Sequence, residues 1–593
     1  MSTPEPIETD VLVVGSGPAG ATAASLLATY GVSTTMISKY GWVANSPRAH
    51  ITNQRTMEVM RDLGVEAELL ERGTPQTQMA ENVFCTSLVG TEIARLRAWG
   101  TDDSRLSDYV ESSPCAMLDL PQPYLEPVLV STAASRGATV RFDTELLSFT
   151  QDSEGVTALV RDRVRGDEQL VRCRYLIGAD GATSRVAEQL GLPFEGRLAT
   201  GGSINIVFSA DLSRYVEHRP GVLYWVLRPG EGVGGVGMGV LRMVRPWNRW
   251  MAVWGYDITG ERPVMDDAAA RAIVHELLGD RGIEVVIESA SVWSVNESSA
   301  SRYSDGRVFC AGDAVHRHSP ANGLGSNTSA QDSYNLAWKL AAVIKGVAGP
   351  GLLDTYDAER VPVGQQVVER ASRSASDFGQ LFNALGLGDG KASARLEDGL
   401  DALQVPDAAG AARRRALARA VELKHDEFSA HGVEMNQRYT SSAVIPADDG
   451  PEVWARDSEL YHQASTRPGA KLPHVWLTDL EGRRISTLDL VGKGAFTLMT
   501  GLSGVVWDGA AQSCGEVLGL KPRVARIGVT ALDVYGTWSR VTQHMDEAGA
   551  LLVRPDGQVA WRHDSAVTDV QEASTLLVQA LGTILHRPSA SPS

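Results

Sequence analysis

Asp10-Val-Leu-Val-Val-Gly15-Ser-Gly17-Pro18-Ala19-Gly20 carries an unbroken apolar run straight into a glycine turn. An apolar run of that length suits a strand buried on both faces of a parallel sheet. Ala19 to Tyr30 is rich in Ala and Leu and reads as a helix, with Gly31 as its stop signal. Val32 to Ser38 reads as the next strand. The three elements make one βαβ unit. In Gly15-x-Gly17-x-x-Gly20 the first glycine permits the tight turn and the second lets a pyrophosphate reach the backbone. The third lets helix and strand pack closely, and the helix start supplies free N–H groups and positive potential. Pro18 and Ala19 complete this dinucleotide-binding turn.

The usual acidic partner of the ribose falls about 20 residues on. Here that position holds Ser38, followed by Lys39. A hydroxyl bonds a ribose less strongly than a carboxylate does.

Two further strands end in Gly/Asp turns. One is Tyr175-Leu-Ile-Gly-Ala-Asp180-Gly181, the other Cys310-Ala-Gly312-Asp313-Ala314. A carboxylate at such a strand end can accept hydrogen bonds from a polyol such as the ribityl chain of FAD.

Between about Gly201 and Val295 the texture changes to turn-separated, strand-like runs. Tyr224, Trp225, Trp247, Trp250, Trp254 and Tyr256 fall there, which suits a sheet forming one wall of a pocket or simply a sheet core. The expected architecture is α/β (α+β overall): a Rossmann-like FAD domain with an inserted mixed β-sheet substrate domain and a third, C-terminal unit. The segments are 1–200 and 297–370 for the FAD domain, 201–296 for the sheet domain, 371–445 for a helical connection, and 446–593 for the last unit.

Bulk properties exclude several classes. A net charge of −17 with no long Lys/Arg run argues against nucleic acid and anionic membrane surfaces as partners. No stretch approaches the roughly 20 apolar residues that span a bilayer. The acidic start, Met1 to Asp10, lacks the pattern of a signal peptide, so a cytoplasmic location is expected. The five cysteines are scattered and form no CxxC, which suits reduced thiols. His316 and His318 have no accompanying carboxylate or cysteine set, so no metal site is expected.

Together, Gly15–Gly20, Arg48, Gln122, Asp180-Gly181, Gly312-Asp313 and Pro320–Asn327 resemble the single-component flavoprotein aromatic hydroxylases, over the whole chain. The strings Pro47–Glu58, His316–Ser329 and Gly432–Arg438 look like the branch of phenol hydroxylases and 2,4-dichlorophenol 6-monooxygenases. The resemblance implies that NADPH or NADH reduces FAD, that O2 adds to give a flavin hydroperoxide, and that a small phenol-like ring is hydroxylated ortho to its hydroxyl. It implies FAD contacts at Arg48 and Gln122, a ribityl contact at Asp313, and an FAD and indirect NAD(P)H role for Asp180. Pro320 falls where flavin and substrate meet. Gly323, Gly325, Ser326 and Asn327 would offer backbone N–H groups to the pyrimidine edge of the flavin, where negative charge develops on reduction.

His50 matches a position that phenol hydroxylases fill with an aspartate near the substrate hydroxyl. It reads either as the base that deprotonates the phenol or as a histidine bonded to backbone near the flavin. Trp225 and Trp254 are expected to line the ring pocket. The C-terminal unit resembles the thioredoxin-like domain of this family. It holds Cys514 alone, so packing or assembly into a homo-oligomer, a dimer or tetramer, is expected of it. Two alternatives stay open: the same chemistry on a biosynthetic ring such as a hydroxypyridine or polyketide, and a flavin-binding protein that hydroxylates nothing.

Overall fold

The computed structural model describes residues 6–227, 238–387 and 395–587. Val236–Val244, an apolar run that reads as a strand in the sequence, begins two residues outside them, and its described part lies in the strand Met238–Arg245.

The opening strand, Ile7–Val14, is central in an eight-stranded sheet. It pairs in parallel with Thr34–Ile37 on one side and Glu168–Gly178 on the other. Thr139–Arg141 and Val308–Cys310 extend the ladder outward, also in parallel. Val11 to Val13 are fully buried, as a strand covered on both faces requires. One face is covered by helices Pro18–Thr29 and Gly325–Ile344, joined where Ser333 Oγ donates to the Ala19 carbonyl at 2.7 Å. Strands running in parallel put their carboxyl ends on one edge. The turns at Gly15, Asp180 and Gly312 consequently meet there, and Ala19, Ala179 and Ala311 pack together beneath them.

The second sheet is mostly antiparallel. Its order is His316–Arg317, Val286–Ala300, Phe194–Ser209, Arg249–Tyr256, Met238–Arg245, Gly221–Leu227, Glu81–Cys85, Glu92–Arg97. The last two strands lie within the stretch expected to belong wholly to the FAD domain. Glu81–Cys85 pairs in parallel with Gly221–Leu227, a long-range pairing that no local pattern announces. The described residues of 371–445 include the helices Phe378–Ala384 and Ala408–Phe428.

The last unit has four strands ordered Arg523–Arg526, Thr497–Thr500, Ala550–Val553, Val559–His563. Helices Val506–Leu518 and Val570–Ile584 pack on it. This β-α-β-β-β-α sequence of main elements is that of a thioredoxin-like fold. Cys514 is buried within the first of these helices, and burial pushes its thiol up to about 12. No helix among the described residues is long and apolar enough to cross a membrane.

Candidate active site

The glycine turn is tight where a turn must be and open where a ligand must enter. Gly15 has φ +111°, and a Cβ there would sit 2.1 Å from the Ala179 carbonyl oxygen. A Cβ on Gly20 would sit 2.0 Å from the Gly15 carbonyl oxygen. At Gly17 the nearest atom to such a Cβ is Glu126 Oε1, at 3.8 Å, so that side of the turn is free for a pyrophosphate. Gly17 is also the N-cap of Pro18–Thr29 and offers no side-chain cap, which leaves the first N–H groups of the helix unbonded.

Ser38 is buried, with its Oγ 3.4 Å from the Tyr40 N–H, and the Lys39 ammonium lies over the Tyr40 ring. Arg48 is exposed at the same edge. Gln122 starts the helix Gln122–Ser135, anchors to Ala49 through its backbone N–H at 2.8 Å, and donates from Nε2 to Glu126 at 2.5 Å. The two Asp turns then diverge. Asp313 is exposed at its turn and its carboxylate makes no hydrogen bond among the described residues, so it is available to a ribityl hydroxyl. Asp180 spends both oxygens on its own turn: Oδ1 accepts from Ser184 Oγ at 2.5 Å, and Oδ2 from the Arg185 and Val186 N–H groups at 2.7 and 3.3 Å. It fixes its own turn, directly after the Ala179 carbonyl that closes on Gly15.

Pro320 is exposed ahead of the short turn Ala321–Gly323. Helix Gly325–Ile344 then begins without a side-chain cap, and the backbone N–H groups of Gly325, Ser326 and Asn327 have no partner among the described residues. The Asn327 side chain is fully used: Nδ2 donates to the Ile51 and Gly323 carbonyls, and Oδ1 accepts from the Asn53 N–H. Gly323, at φ +66°, presses against the Ile51 side chain. The second helix start is thus stapled to the residue that follows His50.

His50 itself bonds a side chain, not backbone. Its Nδ1 lies 2.8 Å from Asp119 Oδ1, and Asp119 is fully buried. A carboxylate oxygen accepts, so Nδ1 carries the proton and Nε2 keeps its lone pair. Burial, aided by the Arg242 charge, pushes the imidazole down to about 4 against the pull of Asp119. Arg242 comes from the antiparallel sheet, donates from Nη1 to the Arg48 carbonyl at 2.6 Å, and is itself pushed down by burial to about 10. Asp119 and Arg242 are not among the residues the sequence singles out. The usable signal for Arg242 is a charge in the middle of the otherwise apolar run Met238–Val244.

Trp225 and Trp254 separate. Trp225 lies opposite Val240, two residues from Arg242, and so shares its face. Phe378 and Phe428 cover it from the helical segment, at ring distances of 4.7 and 6.2 Å. Trp254 lies opposite Gly239, on the other face, where Leu277 of helix Asp267–Leu278 packs. The expectation that Trp254 lines the ring pocket is corrected accordingly: strand alternation turns it into the outer core. His316 bonds Asp332 in the interior at 2.8 Å.

A glycine turn at the head of a parallel sheet, facing a second uncapped helix start and an antiparallel sheet, defines a flavoprotein oxidoreductase. A family model of the FAD binding domain matches residues 8–371, and one of the aromatic-ring hydroxylase C-terminal domain matches 465–588. The chain is 53% identical to 2,4-dichlorophenol 6-monooxygenase of Cupriavidus pinatubonensis, covering 99% of this chain and 98% of that one. It is 46% identical to phenol 2-monooxygenase of Pseudomonas sp. (strain EST1001), over 96% and 92%. Among solved structures, the flavin-dependent monooxygenase PieE in complex with FAD and substrate superposes with a TM-score of 0.93 at 42% identity, over 98% of this chain and all of that one. The chain belongs to the FAD-dependent aromatic-ring hydroxylases, which are monooxygenases.

Proposed function

We propose that this enzyme hydroxylates a phenol-like ring ortho to its hydroxyl, using FAD, O2 and NADPH or NADH. The observation that carries the reading is the His50–Asp119 pair beside Arg242, one residue from the flavin-side staple at Ile51 and Asn327. When bound and reduced, FAD supplies the activation of O2 that places one oxygen atom on the ring. The chain's own groups do the rest. The turn at Gly15–Gly20 would hold the pyrophosphate, with Arg48 and Gln122 at the same edge. Asp313 would take the ribityl chain, and the N–H groups of Gly325, Ser326 and Asn327 would face the flavin's pyrimidine edge. His50 Nε2 accepts the phenol proton, which makes the ortho carbon a better nucleophile. Trp225 and the apolar face around it position the ring and exclude water.

The relatives named for dichlorophenol and phenol support a phenol as substrate. A homo-oligomer, dimer or tetramer, in the cytoplasm fits a C-terminal unit that has one buried cysteine and exposes Leu502, Val505 and Val570. The deciding experiment is NAD(P)H oxidation by the yellow holoenzyme with a panel of substituted phenols, hydroxypyridines and polyketide phenols, followed by product analysis. Stimulated oxidation with a catechol product is expected. Stimulation by none of them, or peroxide as the sole product, would sink the reading.

A further inference from the structure

Several buried polar atoms around one face of the antiparallel sheet lack partners. Arg242 Nε and Nη2, Asn205 Oδ1, Asn82 Nδ2 and Asp119 Oδ2 make no hydrogen bond among the described residues. Strand register puts the three sheet residues together. Arg242 lies opposite Leu223, and Leu223 opposite Asn82. Val240, two residues from Arg242, lies opposite both Trp225 and Val253, and Val253 lies opposite Asn205. Residues directly opposite share a face, as do alternate residues of one strand. Arg242, Asn82, Asn205 and Trp225 therefore point to the same side. That side faces the FAD domain, because Arg242 Nη1 bonds the Arg48 carbonyl two residues before His50.

A buried donor without an acceptor destabilises the fold, and a buried cation without a partner does so more strongly. Arg242 is 3% exposed, and no carboxylate among the described residues lies within ion-pair distance of it. Folds keep such a cost where a ligand offsets it. The ligand must be an anion or a strong acceptor, and the apolar surroundings suit a planar ring.

We propose that Arg242 is the substrate-binding residue that takes the phenolate oxygen, so that the enzyme binds its phenol as the anion while His50 Nε2 accepts the displaced proton. The assignment rests on the hydroxylase reading above. The proton balance closes within the site: the phenol O–H breaks, its proton moves to His50, and the oxygen pairs with Arg242. Asp119 acts through His50 as a positioning residue, fixing the tautomer that leaves Nε2 free. A histidine pushed down this far is a weak base alone. An anion seated between it and Arg242 offsets the Arg242 charge, which adds to burial in holding the imidazole down, and gives its protonated form a counter-charge.

The test is the ionisation of a bound chromophoric phenol. 4-Nitrophenol is titrated onto the FAD-loaded enzyme across pH, and nitrophenolate absorbance gives the apparent pKa of the bound ligand. On the wild type the bound phenol is expected to be about tenfold more acidic than in free solution, or more. Arg242→Met should return it to its acidity in free solution, and Arg242→Lys should keep part of the gain. Because Arg242 keeps a single hydrogen bond, to the Arg48 carbonyl, and leaves Nε and Nη2 unpartnered, Arg242→Met should retain FAD and melt close to the wild type. A gain in acidity that persists in Arg242→Met overturns the assignment. So does an Arg242→Met that loses the gain only together with FAD and thermal stability, since that marks a structural role. A wild type that binds 4-nitrophenol with no change in its acidity overturns it while leaving the hydroxylase reading intact. A holoenzyme that binds no phenol overturns both.

Discussion

Arg554, in the hairpin turn of the thioredoxin-like unit, grips Glu359 of the FAD domain with both ends of its guanidinium, at 2.6 and 2.8 Å. Both side chains are fully buried, and Lys339 and Asn335 close on the same carboxylate at 2.7 and 2.6 Å. Burial alone would raise the Glu359 carboxyl, but Arg554 and Lys339 hold it well below the usual carboxylate range. Arg55 adds a bond to the Asp556 carbonyl, and Lys471 one to Glu58. The C-terminal unit is therefore bolted to the flavin domain by buried charge. Removing one partner of such a set leaves an uncompensated ion, a loss of about 3–5 kcal/mol. Arg554→Met is expected to lower the denaturation midpoint accordingly and to expose the junction to limited proteolysis. A loss below about 1 kcal/mol, the range of an exposed ion pair, would contradict the bolt.

His50 gives a pH prediction with a definite sign. Its pKa is pushed down to about 4, so the imidazole is neutral and ready to accept a proton throughout the neutral range. The acid limb of kcat/KM, which reports the enzyme free of substrate, should lie well below the usual histidine value near 6.5. A limb at the ordinary histidine position that vanishes in His50→Phe would show the imidazole to be unperturbed. His50→Phe itself should slow hydroxylation by about 10²–10⁴-fold, the usual worth of a positioned base. The folded state resists protonating this ring, so as pH falls from about 6.5 towards 4 the group also withdraws up to about 3 kcal/mol of stability.

How much of this could be read in the sequence depends on range. The glycine turn and both Asp turns are local, and each sits where its residue pattern put it. No local pattern says that Arg554 would leave its hairpin turn to meet Glu359, 195 residues away. Asp119 was invisible because its meaning lies in a contact with His50 across 69 residues. Trp225 and Trp254 were alike as aromatics in a sheet, and only register separates them. Asp180 looked like a ligand because a strand-end carboxylate with free oxygens and one that caps the next turn have the same residue pattern.

That separation is testable. Trp254→Phe, on the outer face, should leave the KM for the phenol within about twofold and act mainly through packing, at about 1–3 kcal/mol. Trp225→Ala should raise KM or change the position of hydroxylation while FAD stays bound. The reverse pattern would mean the ring sits on the far side of the sheet.

All five cysteines are buried, and burial raises the thiols of Cys85, Cys173 and Cys514 to about 12. A thiol that stays protonated is a poor nucleophile. The native enzyme should therefore react with essentially no thiol reagent, and Cys514→Ala should leave activity unchanged. Rapid modification of one thiol with loss of activity would restore a redox role to the C-terminal unit.

Glu126 carries the last prediction. Its carboxylate lies beside Gly17, accepts from the Ala44 N–H at 2.7 Å, and is pushed by burial to about 7. A folded carboxyl above its unfolded value binds more protons in the folded state, so stability declines as pH rises from about 4.5 through 7. The pyrophosphate of FAD would bring negative charge to this same place. An ionised Glu126 repels it, whereas the protonated form does not. FAD affinity should accordingly drop by about tenfold between about pH 6 and 8.5, the linkage expected if bound FAD makes this carboxyl hold its proton about tenfold more tightly. Glu126→Gln keeps an oxygen for Ala44 and removes the titration, so its FAD affinity should be flat over that range and higher than the wild type's at the alkaline end. Equilibrium titration of apoprotein with FAD at several pH values decides it: parallel wild-type and Glu126→Gln curves would place the carboxylate outside the reach of the phosphates.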